Sequence, residues 1–171
     1  MRQQELATLF DFNYWAQRRI LATAAHLTDA QFTLRSVIVG RDLRATLVHT
    51  LDVECSWRLR LQRRPEEEWR KTLATTDYRN VAALADHWKR DEAEMRAWVA
   101  TLDDDALAAG ADLDPKEQYP LWFYLLHMVT HSQQHRAESA QLLTQLGHSP
   151  GDIDFLDYAD WAREAPVETS R

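Results

Sequence analysis

The stretch from Val81 to Leu102 reads VAALADHWKRDEAEMRAWVATL. Val81, Leu84, Trp88, Asp91, Met95, Trp98 and Leu102 alternate by three and four, the spacing that lines one side of a helix in a bundle seam. A long helix is therefore expected from about Tyr78 to Leu102, burying that stripe against other helices. Asp91 alone interrupts the seam with a charge. Either it sits near an edge and reaches water, the ordinary reading, or it is a carboxylate that orients a neighbouring ligand side chain.

Three more long helices flank this one. The first is expected from about Gln4 to Ala25, with Leu9, Phe12, Ala16 and Ile20 along one side. A polar stretch follows, with a capping turn at Thr28 and a break at Gly40. The second spans about Asp42 to Gln62 and stops before Pro65. Asp103 to Gln118, with Gly110 and Pro115, reads as a loop. Pro120 suits the first turn of the fourth helix, which continues to Gly147, a natural stop. A turn and a short C-terminal helix close the chain. No alternating Val/Ile-rich segment, internal repeat or second domain stands out, so residues 1–171 are expected to form one all-α domain, a four-helix bundle.

Composition narrows the function. Twenty basic and twenty-seven acidic residues give a net charge of −7, which argues against binding nucleic acid through its phosphates. The most basic run, Arg58 to Arg64, is followed at once by Glu66, Glu67 and Glu68 and reads as a solvated helix end. No apolar run approaches the roughly 18 residues of a membrane span. Cys55 is the only cysteine; no intrachain disulfide can form, which suits a reducing cytoplasm. It reads as a small buried hydrophobe rather than a nucleophile. Seven Trp imply heavy aromatic packing.

The chemistry points to the fourth helix, where HMVTHSQQH places His127, His131 and His135 at i, i+4 and i+8. With His131 as zero, Tyr124, His135 and Leu142 fall within about 40°, and Met128 and Leu146 at about 60°. His131 and His135 thus occupy the middle of an apolar stripe that should face the interior. One helical turn apart, two imidazoles can converge on a single ion. Buried side by side without one, each polar nitrogen would need its own hydrogen-bond partner. His127, about 40° to the other side, is assigned to packing or support.

A third ligand must come from another helix. His26 and His148 sit near helix ends, and His87 reads as a satisfied surface residue. His49 lies mid-helix, but about 160° from the Leu43, Leu47, Leu51 ridge. Either the second helix is buried on two sides or His49 faces outward, and periodicity leaves both open. Glu138, one turn beyond His135, is read as a surface glutamate, with a ligand-orienting or basic role as the alternative. The HExxH, Glu-x-x-His and glycine-rich phosphate templates are absent.

In the order and spacing of FDFNYWAQRRIL, LVHTLDVECSWRLRL, LLHMVTHSQQHRAESAQLLTQLG and DIDFLDYADW, the chain resembles the DinB/YfiT-like family of metalloenzymes. The resemblance implies an up-down four-helix bundle, commonly a homodimer. It also implies one divalent transition metal (zinc, nickel or iron) on His49, His131 and His135, with coordination positions left open. Family activities include transfer of a low-molecular-weight thiol to an electrophile. The chain departs from the family at Thr130, where an Asn is common, and in HRAE, where HRGQ is common.

Three readings stay open at this stage. The first is a metal-dependent enzyme, a thiol transferase or hydrolase acting on a small molecule. The second is a non-catalytic metal-binding or stress-response module, and the third a structural bundle with packed histidines. The fourth helix has a second apolar side of Trp122, Leu125, Val129, Ala140 and Leu143. A helix apolar on two sides is either central or at a subunit interface, and a homodimer is expected.

Overall fold

A computed structural model describes residues 1–37, 39–113 and 118–165. The helices are α1 (Gln3–Ala24), α2 (Asp29–Phe32), α3 (Leu43–Leu61), α4 (Glu66–Trp69), α5 (Val81–Val99), α6 (Asp104–Ala108), α7 (Leu121–Gln145) and α8 (Phe155–Glu164), with a 3-10 turn at Thr75–Asp77. Among the described residues there is no strand, and no helix is long and apolar enough to cross a membrane. Pro115, one of the expected breaks, lies outside the described residues.

The ends of the long helices follow from their capping chemistry. Asp42 Oδ1 accepts from Ala45 N at 2.6 Å, and Asn80 Oδ1 from Ala83 N at 3.0 Å, so α3 and α5 start one residue later. Side-chain acceptors at these positions satisfy amides that have no partner within the helix. The α5 helix thus begins three residues after the expected Tyr78. Thr28 caps α2 through the amide of Gln31. At the far end of α7, Gly147 adopts φ +85°. Its amide bonds to Thr144 O, and that of His148 to Leu143 O, the paired bonds that close a helix on a left-handed residue. The expected loop after α5 contains the short α6, started by Asp103 accepting from Ala106 N at 2.8 Å.

Four long helices form the bundle. The α1 helix packs against α7 and α5, and α3 packs against the same two. Around the ring the order is therefore α1, α7, α3, α5. Side-chain pairs fix the directions. Arg18 meets Glu92 and Asp11 meets Arg96, so α1 and α5 are antiparallel. His49 meets His135 while Trp57 meets Tyr124, so α3 and α7 are antiparallel. The segment after α3 turns back along it, with Ser56 Oγ donating to Trp69 O and Leu73 N to Asp52. That return lets α5 start at the same end as α3, and the helices run up, down, down, up.

The α5 seam is the core stripe its spacing predicts. Leu84 and Met95 are fully buried, and Val81, Trp88 and Asp91 nearly so. At its C-terminal end the buried residue is Val99, with Trp98 and Leu102 only partly covered. A straight helix drifts away from a 3.5-residue repeat, and five turns of 3.6 residues from Val81 land on Val99. Most of the second apolar side of α7 is covered within the chain: Leu125 and Leu143 are 0 % exposed and Val129 4 %, with Trp122 and Ala140 partly buried. The α7 helix is central, with α1, α3 and α6 as its neighbours.

Charges inside the bundle correct two sequence expectations. Asp91 does not reach water: it is 2 % exposed and forms an ion pair with Arg58, itself 5 % exposed. Arg58 therefore belongs to the interior, not to a solvated helix end. Its neighbours Arg60 and Arg64 do lie outside, Arg60 over the Trp57 and Trp69 rings and Arg64 on Glu68. A second buried polar cluster joins three helices. Glu54 Oε1 accepts from Asn13 Nδ2 at 3.0 Å and from Ser132 Oγ at 2.5 Å, and Arg136 donates to Asn13. Burial is the main cause that raises the Glu54 carboxyl, to about 7.

Candidate metal centre

Antiparallel packing of α3 on α7 brings His49 across to the turn that carries His131 and His135. The three offer ring nitrogens that all lie within 4.8 Å of one another, and among the described residues they form the group that could hold a metal ion. Ring centroids are 5.3 Å apart for His49 and His131, 4.8 Å for His49 and His135, and 4.4 Å for His131 and His135. The outward orientation left open for His49 does not occur. The α3 helix is buried on two sides: the Leu43, Leu47, Leu51 ridge is in the core, while His49 turns its ring to α7.

The Nε2 atoms of His131 and His135 are 3.2 Å apart. Nitrogens bound to one ion at 2.0–2.1 Å are separated by about 2.9 Å at a right angle and about 3.4 Å at a tetrahedral one. The spacing fits two donors on a shared cation. Both His49 and His131 are held below the ordinary imidazole range, by burial first and then by the neighbouring His135; His131 falls to about 4. At neutral pH these rings keep the lone pairs that a cation requires.

Glu138 is not the free surface glutamate the sequence suggests. Its Oε2 lies 2.8 Å from His135 Nδ1 and 2.8 Å from Arg41 Nη2. The position three residues along α7 puts the carboxylate beside the ring. Burial alone would push its carboxyl up, but the bonds from His135 and Arg41 dominate and draw it down to about 2. Arg41 Nη2 also lies 2.8 Å from His135 Nδ1, so Glu138 and Arg41 together hold that edge of the ring and leave Nε2 facing His131. Arg41, immediately before the α3 cap, completes this support. Sequence reading missed it, since nothing in its spacing marks a residue in the loop ahead of a helix.

The remaining candidates fall outside the group. His127 stands beside the Trp57 ring at 5.7 Å and His131 at 5.9 Å, a packing position. His26 and His148 stack on each other at 6.3 Å, and His87 hydrogen-bonds the Tyr78 hydroxyl at 2.6 Å. Asp91 answers Arg58 rather than an imidazole. Cys55 packs against the core, and burial, then Asp91, push its thiol well up, which makes it a poor nucleophile.

A family model described as the DinB family matches residues 1–170. Comparison with curated proteins gives no match.

Proposed function

The chain belongs to the DinB family, and on that premise we propose that it is a metal-dependent enzyme. In this reading His49, His131 and His135 hold one divalent transition-metal ion, zinc, nickel or iron, and a low-molecular-weight thiol is transferred to a small electrophile. The observation that carries the reading is the convergence of three imidazoles from two helices, with Glu138 and Arg41 orienting the His135 ring at Nδ1. Three protein donors are one fewer than closed structural sites use, so an incoming molecule has room. An ion held there lowers the pKa of a thiol or water at its open positions.

The chain's own residues contribute orientation and protonation state. His49 and His131 stay neutral because burial disfavours their cations. Glu138 and Arg41 hold the His135 ring at Nδ1, so that Nε2 faces His131. During transfer the carbon–sulfur bond forms, the bond to the leaving group breaks, and the thiol proton is released. A reducing cytoplasm, in which such thiols are kept reduced, suits this chemistry, and a homodimer is proposed on the family resemblance.

The competing reading is an ion that serves stability alone. It is favoured by the site's position, where an ion would tie α3 to α7. Assay of purified protein with glutathione or cysteine and monochlorobimane, with and without added zinc, nickel or iron, separates the two. Turnover that needs metal and vanishes in His131→Ala with helical content intact supports the enzyme. No turnover with any thiol, together with unfolding of His131→Ala, supports the structural ion.

A further inference from the structure

One face of α3 continues from the imidazole group toward the far end of that helix. With His49 as zero and 100° per residue, Val53, Ser56 and Arg60 fall within about 40° of it, and Trp57 at about 80°. Two neighbours flank this strip. On one side α7 brings His131 and His135 to His49, and Tyr124 and His127 to Trp57. On the other, the returning segment is tied down where Ser56 Oγ donates to Trp69 O and Leu73 N to Asp52. His49, Val53, Trp57 and Arg60 are all only partly buried, so the strip keeps contact with solvent along its length.

Arg60 ends the strip. Its guanidinium carbon stands 5.1 Å from the Trp57 ring centroid and 5.2 Å from that of Trp69. Contact over a ring engages the plane of a guanidinium and leaves its N–H edges available. Those edges are unused: among the described residues Arg60 has no ion pair and no hydrogen bond. Its neighbours Arg58, Arg63, Arg64 and Arg70 are each paired with a carboxylate. A guanidinium steadied by two indoles, with its N–H groups free, is a ready partner for a carboxylate, which it meets through two parallel hydrogen bonds.

The distance from the imidazoles sets the length of what can bind both. The Arg60 stem turns back toward the start of α3, since its head covers the ring three residues earlier. The guanidinium thus stands about 12 Å along the axis from His49, the rise of eight residues. In a γ-glutamylcysteine thiol, nine bonds separate the sulfur from a carboxylate oxygen. Extended chain covers roughly 3.5 Å per three bonds, so this arm reaches about 10 Å. Add about 2.3 Å from sulfur to a metal and about 2.8 Å from carboxylate to guanidinium, and the arm bridges the gap. Free cysteine, with four bonds between the same atoms, falls short.

The geometry points to Arg60 as the residue that selects the thiol of the proposed reaction, by holding a carboxylate on an arm of peptide length, as in γ-glutamylcysteine peptides. The sulfur lies at the imidazole group, the arm runs over Val53 and past Trp57, and the carboxylate meets the free edge of Arg60. This selection rests on the reading of the three imidazoles as a thiol-activating metal site, and it adds the residue that decides which thiol is held there.

S-methylglutathione, whose thioether cannot become a thiolate, probes the arm without turnover. Titrated by calorimetry into zinc-loaded full-length protein, it should bind saturably, about tenfold or more weakly in Arg60→Met, with part of the loss restored in Arg60→Lys. Its diethyl ester, which lacks both carboxylates, should bind wild type and Arg60→Met alike. In the bimane assay the preference for glutathione over cysteine should fall by a similar factor in Arg60→Met, through KM rather than kcat. Selection by Arg60 is overturned if S-methylglutathione does not bind, if Arg60→Met binds it as tightly as wild type, or if the variant weakens the acid and the diester equally, the mark of a disturbed contact between α3 and α4. Binding that depends on Arg60 without transfer of any thiol would keep the anchor and refute the reaction. Transfer of glutathione unaffected by Arg60→Met would do the reverse.

Discussion

Glu54 offers a test of the buried polar cluster that needs no knowledge of the reaction. Its carboxyl rises from an ordinary 4.5 to about 7 in the folded chain, chiefly through burial. Because the folded value lies above the unfolded one, this group favours folding fully below pH 4.5, and that contribution is lost as pH rises through 7. Between pH 5 and pH 8 the loss amounts to about 2.5 kcal/mol for an isolated group with these two values. Other groups titrate in the same window: His131, held down near 4, acts with the opposite sign and favours the fold as pH rises toward 6.5. The Glu54→Gln variant removes this ambiguity, since it keeps the size and acceptor oxygen but does not ionise. Urea unfolding of both proteins in chelator, at pH 5 and pH 8, measures the difference of differences. Glu54→Gln should gain about 2–3 kcal/mol on the wild type from the lower to the higher pH. Parallel curves would show that Glu54 titrates normally and that the cluster is open to water.

Two further outcomes follow from the same packing. Asp91→Ala strands Arg58 in the interior with the mostly exposed Glu94 and a long bond to Gln62 as its partners. A loss of about 3–5 kcal/mol in chemical denaturation is expected, and the double replacement of Arg58→Met with Asp91→Leu should recover most of it. A loss below about 1 kcal/mol would place the pair in solvent. Glu138→Ala should weaken metal binding about 10–100-fold, read by competition with a chelating dye, with helicity unchanged; unchanged affinity would make the contact with His135 incidental.

The helices were legible because apolar spacing and capping residues are local signals. Val81, Leu84, Trp88 and Met95 announce a buried stripe, and Asp42 and Gly147 announce where helices start and stop, while the Asn80 cap went unread and α5 starts three residues after the expected Tyr78. Pairs made across the bundle leave no such trace. Arg58 and Asp91 each read as solvent-facing until the partner 33 positions away is known. The same holds for Glu54, Asn13 and Arg136, whose polarity hides a position in the core. His131 and His135 stood out because one helix displays both. His49 could not be placed by period, since α3 is buried on two sides and its leucine ridge points away from the site. Glu138 lies within reach of His135 by spacing alone, but Arg41, which meets both, arrives from a loop.

The account rests on three imidazoles acting as one donor set, and metal content tests this most directly. Protein purified without an affinity tag, loaded with zinc, nickel or iron and freed of excess, should retain close to one ion per chain by elemental analysis. His49→Ala, with its helices intact, should retain little of it, although His131 and His135 are untouched. Equal metal in the variant and the wild type, or none in either, would contradict the shared site.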